Sequence, residues 1–212
     1  MSRIVVFGAG GRAGRRVVAE AAGRGHEVTA VVRSAAAHPG LAAGGVRVVE
    51  GDVTDEGSVA AAAQGHDVAV QTTARMDVPS EEFYGAATRA LIGELAKAGV
   101  RRLVAVGIGT LLEVSPGVRL IDTPGFPADA RAFSLGHAAE LDLLQGSDGD
   151  LDWVVLTPPP VVLDDEAPRT GTYRIGDGRV TEGPFSYADL AVALVDEAEH
   201  ARHHRVQVSV SS

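Results

Sequence analysis

A run of glycines near the N-terminus is the first feature of this sequence that could do chemistry. The local sequence is FGAGGRAG, which follows the β-type residues RIVV and precedes the helix-forming stretch RRVVAEAA. The spacing fits two patterns, G-x-G-x-x-A at Gly8, Gly10 and Ala13, and G-x-x-G-x-x-G at Gly8, Gly11 and Gly14. Glycines there permit a tight turn and bring the backbone close to a pyrophosphate at a helix N-terminus. The run therefore predicts a dinucleotide site, with a glycine-rich turn that holds no ligand as the alternative.

The end of the second predicted strand indicates which dinucleotide binds. Sites specific for NAD place an Asp or Glu about 20 residues beyond the glycines, where its carboxylate accepts from the ribose 2′-hydroxyl. This chain has Arg33 and Ser34 at that place, and a guanidinium suits the 2′-phosphate of NADPH. Arg12, within the glycine run, is a candidate second cation for the same phosphate. We therefore expect NADPH to be preferred over NADH, unless Arg33 is only a solvated residue at a strand end.

Two further pairs of residues are expected to contact the cofactor. Asp52 and Val53 follow the third predicted strand, where adenine would lie and the Asp52 carboxylate would accept from the exocyclic amine; Asp52 is equally a good turn former. Thr72 and Thr73 end the fourth strand and are expected to line the path from pyrophosphate to ribose. The alternative for these threonines is simple strand propensity.

The elements around these residues alternate regularly between strand and helix. Short β-branched runs such as RIVVFG, HEVTAVVR, DVAVQTT and LDWVVLT are separated by Ala-rich helical stretches. This alternation predicts a Rossmann-like, doubly wound α/β fold with about seven parallel strands and helices on both faces. The length favours a single domain over residues 1–212. The sequence SYAD at 186–189 predicts the start of a last helix running to about Ala201, and RVQVSV at 205–210 predicts an edge strand.

Composition and charge argue against several classes of function. The net charge of −9 is unsuited to a protein that neutralises nucleic-acid phosphates, and the absence of cysteine excludes disulfides and thiolate chemistry. The N-terminus reaches glycines too soon for a signal peptide, and no apolar run approaches the roughly 18 residues that span a bilayer, so we expect a cytoplasmic protein without membrane contact. His200 and His204 have the spacing of a helical zinc pair but lack matching carboxylates, so we expect no metal. The bias toward Ala, Gly, Arg and Val is typical of a GC-rich bacterial genome.

With these motifs in place, the sequence resembles the atypical short-chain dehydrogenase/reductase superfamily. More narrowly, it is similar to the family of NADH-flavin reductase-like proteins that are related to biliverdin reductase B. The resemblance covers nearly the whole chain, and its markers include FGAGGRAG, GHEVTAVVRS, GDVTD, DTPGFP, LDWVVLTPP, RTGTYRIG and SYADLAVALVDE. It implies a nicotinamide cofactor, a small-molecule acceptor, and a monomer or homodimer.

The chain departs from the superfamily where proton transfer is expected. Typical members carry a Ser after the fifth strand and a Tyr-x-x-x-Lys pair on the next helix. Here Thr110 falls near the Ser position, whereas Phe133 and His137 fall where the Tyr and Lys would be. A phenyl ring cannot donate a proton, but flavins, quinones and conjugated tetrapyrroles accept hydride to give weakly basic anions that water or a nearby His can protonate. The resemblance therefore implies a flat conjugated acceptor, such as free flavin or a quinone.

Three residues are candidates for the reacting end of the site. His137 shares a helical face with Phe133 and Glu140. If that face looks into the cleft, His137 would bind the nicotinamide ribose or supply a proton; polar surface is the alternative. Thr110 would orient the acceptor or supply a proton, or it belongs to a plain turn. Pro158 follows the sixth strand, where related proteins pass their backbone beside the nicotinamide ring, although the prolines could be only a spacer.

Two long irregular stretches, 110–130 and 158–183, are expected to form the acceptor site. Loops of that length in a compact domain are usually functional or mobile. Phe126, Phe133 and Tyr173 are the predicted aromatic walls, because aromatic faces suit a flat substrate. They could instead simply pack on each other.

Two other functions fit the same residues. The first is a dinucleotide-binding sensor without turnover, as in the related NmrA-like group, because the Tyr and Lys are missing. The second is a biosynthetic enzyme that uses this fold for another reaction.

Overall fold

The computed structural model describes residues 1–212, and strands and helices alternate through most of it. The strands are β1 Arg3–Phe7, β2 Glu27–Val32, β3 Arg47–Glu50, β4 Val68–Gln71, β5 Arg102–Val106, β6 Glu113–Ser115, β7 Val118–Arg119, β8 Asp152–Thr157, β9 Arg174–Ile175 and β10 Val206–Ser211. The α-helices are α1 Arg12–Gly23, α2 Glu56–Ala63, α3 Ser80–Lys97, α4 Ala128–Gln145 and α5 Tyr187–Glu199.

The main sheet has eight strands in the order β3-β2-β1-β4-β5-β8-β10-β9. Every pair from β3 to β10 is parallel, and β9 alone is antiparallel to its neighbour. The chain winds outward from β1 in one direction and from β4 in the other, so the order reverses between these two strands. Ligands of such sheets bind at the carboxyl ends of the strands beside that reversal. The predicted Rossmann-like fold is therefore confirmed.

Each face of the sheet buries its own hydrophobic cluster. Along β1, Ile4 and Val6 belong to one cluster while Val5 and Phe7 belong to the other, which is the two-residue alternation of a strand. The first cluster lies under α1 and α5, and the second lies under α2, α3 and α4. Because helices cover both faces, the central strands are apolar on both sides, and ligands reach the sheet only at its edges.

The C-terminal strand differs from its prediction. β10 lies between β8 and β9 and is not the edge of the sheet. The edge strand is β9, which pairs with β10 over only Arg174 and Ile175, too short a segment to show a sequence period. The last helix ends at Glu199, slightly before the predicted Ala201.

Asp189, in the first turn of α5, binds a segment that precedes the helix by more than ten residues. The Ser186 hydroxyl accepts from the backbone N–H of Asp189 at 2.9 Å, as a helix cap does. The buried Asp189 carboxylate then accepts from the backbone N–H groups of Thr170 and Gly171 at 2.9 and 2.8 Å. The second irregular stretch is therefore held against the first turn of α5.

Candidate nucleotide-binding cleft

A cavity of about 470 Å³ lies at the carboxyl ends of β1 to β4. It brings together nine residues that the sequence predicted to bind the cofactor, namely Gly8, Gly10, Gly11, Arg33, Ser34, Asp52, Val53, Thr72 and Thr73. It is also lined by His38, Arg75 and Phe83, which sequence reasoning missed. Five separate parts of the chain, including Phe83 on α3, thus meet where the sheet topology reverses.

The glycine turn is packed too closely for side chains. Gly8 has φ +79°, and a Cβ on it would lie 2.7 Å from the backbone nitrogen of Thr73. A Cβ on Gly14 would overlap the carbonyl oxygen of Gly8, and Ala13 beside it is buried. The turn, the start of α1 and the end of β4 are therefore in direct backbone contact, and Gly10 and Gly11 line the cavity without side chains of their own.

The cationic side of the cleft carries Arg33 and Arg75. Arg33 and Ser34 are exposed at the end of β2, and Arg33 lies within 4.0 Å of no carboxylate. Arg75 follows β4 and pairs with the exposed Asp77 at 2.9 Å. The cleft therefore holds two guanidinium groups and has no acid at the end of β2.

Asp52 faces these cations across the cleft. One of its carboxylate oxygens accepts from the backbone N–H and the hydroxyl of Thr54, at 2.9 and 2.7 Å. Burial opposes its ionisation, but these hydrogen bonds and the charges of Arg75 and Arg33 outweigh burial and lower the pKa of Asp52. Asp52 therefore forms a turn and also lines the cleft as an anion.

Arg12 does not lie with the other cations. Its guanidinium carbon is 5.4 Å from the ring centroid of Tyr187, and Arg16 lies against the same ring at 5.7 Å. Both arginines belong to α1, whose first turns pack beside the start of α5. The structure thus places Arg12 on the helix surface and not in the lining of the cavity.

Phe133 and His137 pack against α3, and the helical face they share is closed. The ring centroid of Tyr84 is 4.0 Å from that of His137 and 6.2 Å from that of Phe133. His137 is 7% exposed, and its Nδ1 lies 3.1 Å from Glu140 Oε2. Gly136 allows α4 to approach α3 closely, since a Cβ at this position would lie only 2.6 Å from the carbonyl oxygen of Ser80. This face therefore does not line the cavity.

Tyr84, on α3, is another residue that the sequence did not indicate. Its side chain is 1% exposed, and its hydroxyl donates to the carbonyl oxygen of Thr73 at 3.4 Å. Burial raises the pKa of Tyr84 above its usual value, and the charge of Glu140 raises it further. Tyr84 thus stays protonated and supports the Thr73 segment from behind.

Thr110 lies in a short 3-10 helix after β5 and is engaged by α4. Its Oγ1 is 2.7 Å from the hydroxyl of buried Ser134, which itself donates to the carbonyl oxygen of Ala130 at 2.7 Å. A hydroxyl has one proton, so Thr110 must donate to Ser134 and offers only acceptor capacity elsewhere. Pro158 is buried, and its carbonyl oxygen would lie 2.7 Å from a Cβ on Gly109. Neither Thr110 nor Pro158 lines the cavity.

The remaining predicted aromatic residues lie in two different places. Phe126 packs near buried Leu111 and Ile121, with the Arg131 guanidinium 5.6 Å from its ring centroid. The Tyr173 hydroxyl donates to Asp196 at 2.6 Å. Asp196 is in the last turn of α5, at the amino edge of the sheet, because a helix joining parallel strands runs opposite to them. The structure therefore does not bring Tyr173 to the cleft.

No helix in the chain combines the length and the apolar character needed to cross a membrane. No group of three or more potential metal-ligating side chains lies together, and His204 contacts Asp152 at 2.8 Å.

Comparisons with known proteins agree with the cleft and the fold. Residues 8–201 match the model of the NAD(P)H-binding family. YwnB of Bacillus subtilis strain 168 is 34% identical to this chain over an alignment of 218 residues. The alignment covers 99% of this chain and 98% of YwnB. A structure from Burkholderia pseudomallei, named as a candidate exported protein, is 35% identical with a TM-score of 0.86 over 100% of both chains. A structure from Streptococcus pneumoniae TIGR4, named as a candidate NADH-flavin reductase, is 27% identical with a TM-score of 0.84 over 100% of both chains.

The family match covers most of the chain, and the curated relative exceeds 30% identity over nearly its full length. The resemblance predicted from the motifs is confirmed, and this chain belongs to the NAD(P)H-binding family.

Proposed function

We propose that this protein is an NADPH-dependent reductase that passes hydride from nicotinamide C4 to a flat conjugated acceptor such as free flavin or a quinone. The observation that carries the proposal is the cleft, where the glycine turn, Arg33 and Arg75 line one cavity with no acid at the end of β2. The family match supports a nicotinamide cofactor. The name of the Streptococcus pneumoniae neighbour supports flavin as an acceptor.

The preference for NADPH rests on the charges at the end of β2. A carboxylate there would accept from the ribose 2′-hydroxyl of NADH and repel a 2′-phosphate. This chain has the exposed, unpaired guanidinium of Arg33 instead, with the Ser34 hydroxyl beside it. By contrast, Arg75 in the same cleft pairs with Asp77 at 2.9 Å, and Arg15 on α1 lies 3.0 Å from Asp165. Arg33 is therefore free to bind a phosphate.

The glycine turn provides the cradle for the pyrophosphate. Gly8 packs directly on the Thr72–Thr73 backbone, and Gly10 and Gly11 line the cavity just before α1 without side chains of their own. The His38 ring lies against Gly10. The residues present therefore fit a dinucleotide, and bound NADPH would supply the hydride.

The chain's own side chains favour an acceptor that needs no strong acid. Thr110 already uses its proton toward Ser134, and His137 is buried against Tyr84. Neither is placed as a ready proton donor. A delocalised anion formed on a flavin or quinone is protonated by water, which agrees with this arrangement.

Absorbance of the reduced nicotinamide tests the proposal. Purified protein is mixed with NADPH and, in separate reactions, with FMN, FAD, riboflavin or a small quinone. We expect oxidation above background with at least one acceptor. Measurable NADPH binding without oxidation by any acceptor would contradict the reductase.

A sensor without turnover is the second candidate. Phe133 and His137 stand where a proton-donating Tyr and a Lys would be, and both are packed against α3. Binding of NADPH without any acceptor-dependent oxidation is the result that would favour the sensor.

A further inference from the structure

His38 contacts the glycine turn from a segment that the sequence did not mark as functional. It lies between two short 3-10 helices, Ala35–Ala37 and Pro39–Gly45, that connect β2 to β3. A Cβ on Gly10 would overlap the imidazole, with Cε1 at 2.5 Å and Cδ2 at 2.8 Å. The ring edge that carries Nε2 therefore rests against Gly10, inside the cavity.

The His38 ring has no partner within the protein, although its backbone does. Its N–H donates to the carbonyl oxygen of Ala35 at 3.0 Å, and its carbonyl oxygen accepts from Leu41 at 3.1 Å, which fixes the segment. By contrast, the rings of His26 and His203 each bind a glutamate, at 2.7 and 2.6 Å. His38 thus lines the cavity with an imidazole that has no hydrogen-bond partner in the protein, on a segment whose backbone is hydrogen-bonded.

The charges around this imidazole leave Arg33 as the unpaired cation of the cavity lining. Arg33 enters the cavity from β2, and Arg75, which pairs with Asp77 at 2.9 Å, enters from the end of β4. Asp52, after β3, is the acid that lines the same cavity, and it is already bound to Thr54. Glu50 accepts from the backbone N–H of Ala35 at 2.8 Å, on the segment's own side. The glycine turn adds no charge to the lining, because its arginine stacks on Tyr187.

We propose that His38 is a specificity residue whose imidazole binds the 2′-phosphate of NADPH together with Arg33. The inference rests on the proposed function and adds to it the residue that helps to separate NADPH from NADH. A ring nitrogen donates one hydrogen bond to a phosphate oxygen, and a protonated ring adds a positive charge. NADH has only a hydroxyl at that position and gains neither contribution.

Nucleotide binding by two matched variants tests this assignment. Dissociation constants for NADPH and NADH are measured for the wild type, for His38→Gln, and for the control His200→Gln, whose residue lies at the end of α5. We expect His38→Gln to weaken NADPH binding about tenfold, the size of one charge-assisted hydrogen bond. NADH binding by His38→Gln and both affinities of His200→Gln should stay within about twofold of the wild type.

The two nucleotides together separate recognition of the phosphate from mere packing over Gly10, because packing alone would affect the binding of both nucleotides equally. Equal loss of NADPH and NADH affinity in His38→Gln would overturn the assignment but leave the proposed function standing. Failure of the wild type to bind either nucleotide would overturn both.

Discussion

Some polar side chains of the cleft are unpaired, whereas those on the face of α4 that carries Phe133 and His137 are paired and buried. In the cleft, Arg33 has no carboxylate within 4.0 Å, and the His38 ring has no hydrogen-bond partner. On α4, the ring of His137 binds Glu140 and stacks on Tyr84. Polar groups that stay unpaired in a closed fold are available to a ligand, whereas paired and buried groups hold the fold together. We therefore expect the cleft to bind the ligand and the α4 face to stabilise the fold.

Gly8→Ala should have the largest effect, because it breaks the backbone contact beneath the cleft. Gly8 has φ +79°, and the new Cβ would lie 2.7 Å from the Thr73 nitrogen. We expect NADPH binding to weaken by about a hundredfold or more, from strain and displacement of the turn. The control is Gly40→Ala, where nothing lies within 4 Å of the added atom. Binding by Gly8→Ala within about fivefold of the wild type would refute the close packing.

His137→Ala should destabilise the protein without weakening nucleotide binding. The change removes the partner of buried Glu140 and opens space beside Tyr84. Breaking such a buried pair costs about 3 kcal/mol, which urea unfolding would measure. Unchanged unfolding together with a large loss of turnover would mean that His137 acts in the reaction, and the contrast between the two regions would then be wrong.

Arg33→Ala should weaken NADPH binding selectively. Loss of one guanidinium contact to a phosphate is expected to cost about tenfold to thirtyfold in affinity. NADH binding should change by less than about twofold. Arg15→Ala is the matched control, because Arg15 is an exposed arginine already paired with Asp165. A similar loss for both nucleotides would show that Arg33 does not recognise the 2′-phosphate.

Thr110→Val should have the smallest effect. The hydroxyl of Thr110 donates to Ser134, which keeps its own bond to Ala130. We expect a loss of about 1 kcal/mol in the free energy of unfolding and turnover within about threefold of the wild type. A hundredfold loss of turnover in a stably folded variant would identify Thr110 as a proton donor.

Residues at strand ends could be predicted from the sequence, whereas contacts made through tertiary packing could not. The glycine run, Arg33 and Thr73 occupy fixed positions relative to strand ends, so local patterns locate them. His38 reaches Gly10 through the path of an irregular segment. Tyr84 reaches Thr73 through helix packing. No sequence period encodes either contact, because both depend on tertiary structure.

The irregular stretches show the same limit. Tyr173 was expected beside the acceptor because its motif is typical of the resembled family. The structure ties that segment to α1 and α5 through Arg169, which lies 2.7 Å from Glu20, and through the Tyr173 bond to Asp196. Spatial position here depends on ion pairs between residues far apart in the chain, which motif spacing does not reveal.

The most direct test of the central claim compares NADPH with NADH as reductants of free FMN by the wild-type protein. The account predicts FMN-dependent oxidation of NADPH, with kcat/KM at least about tenfold higher than for NADH, as one selective phosphate contact requires. The absence of FMN-dependent oxidation of NADPH, or equal or greater kcat/KM with NADH, would contradict it.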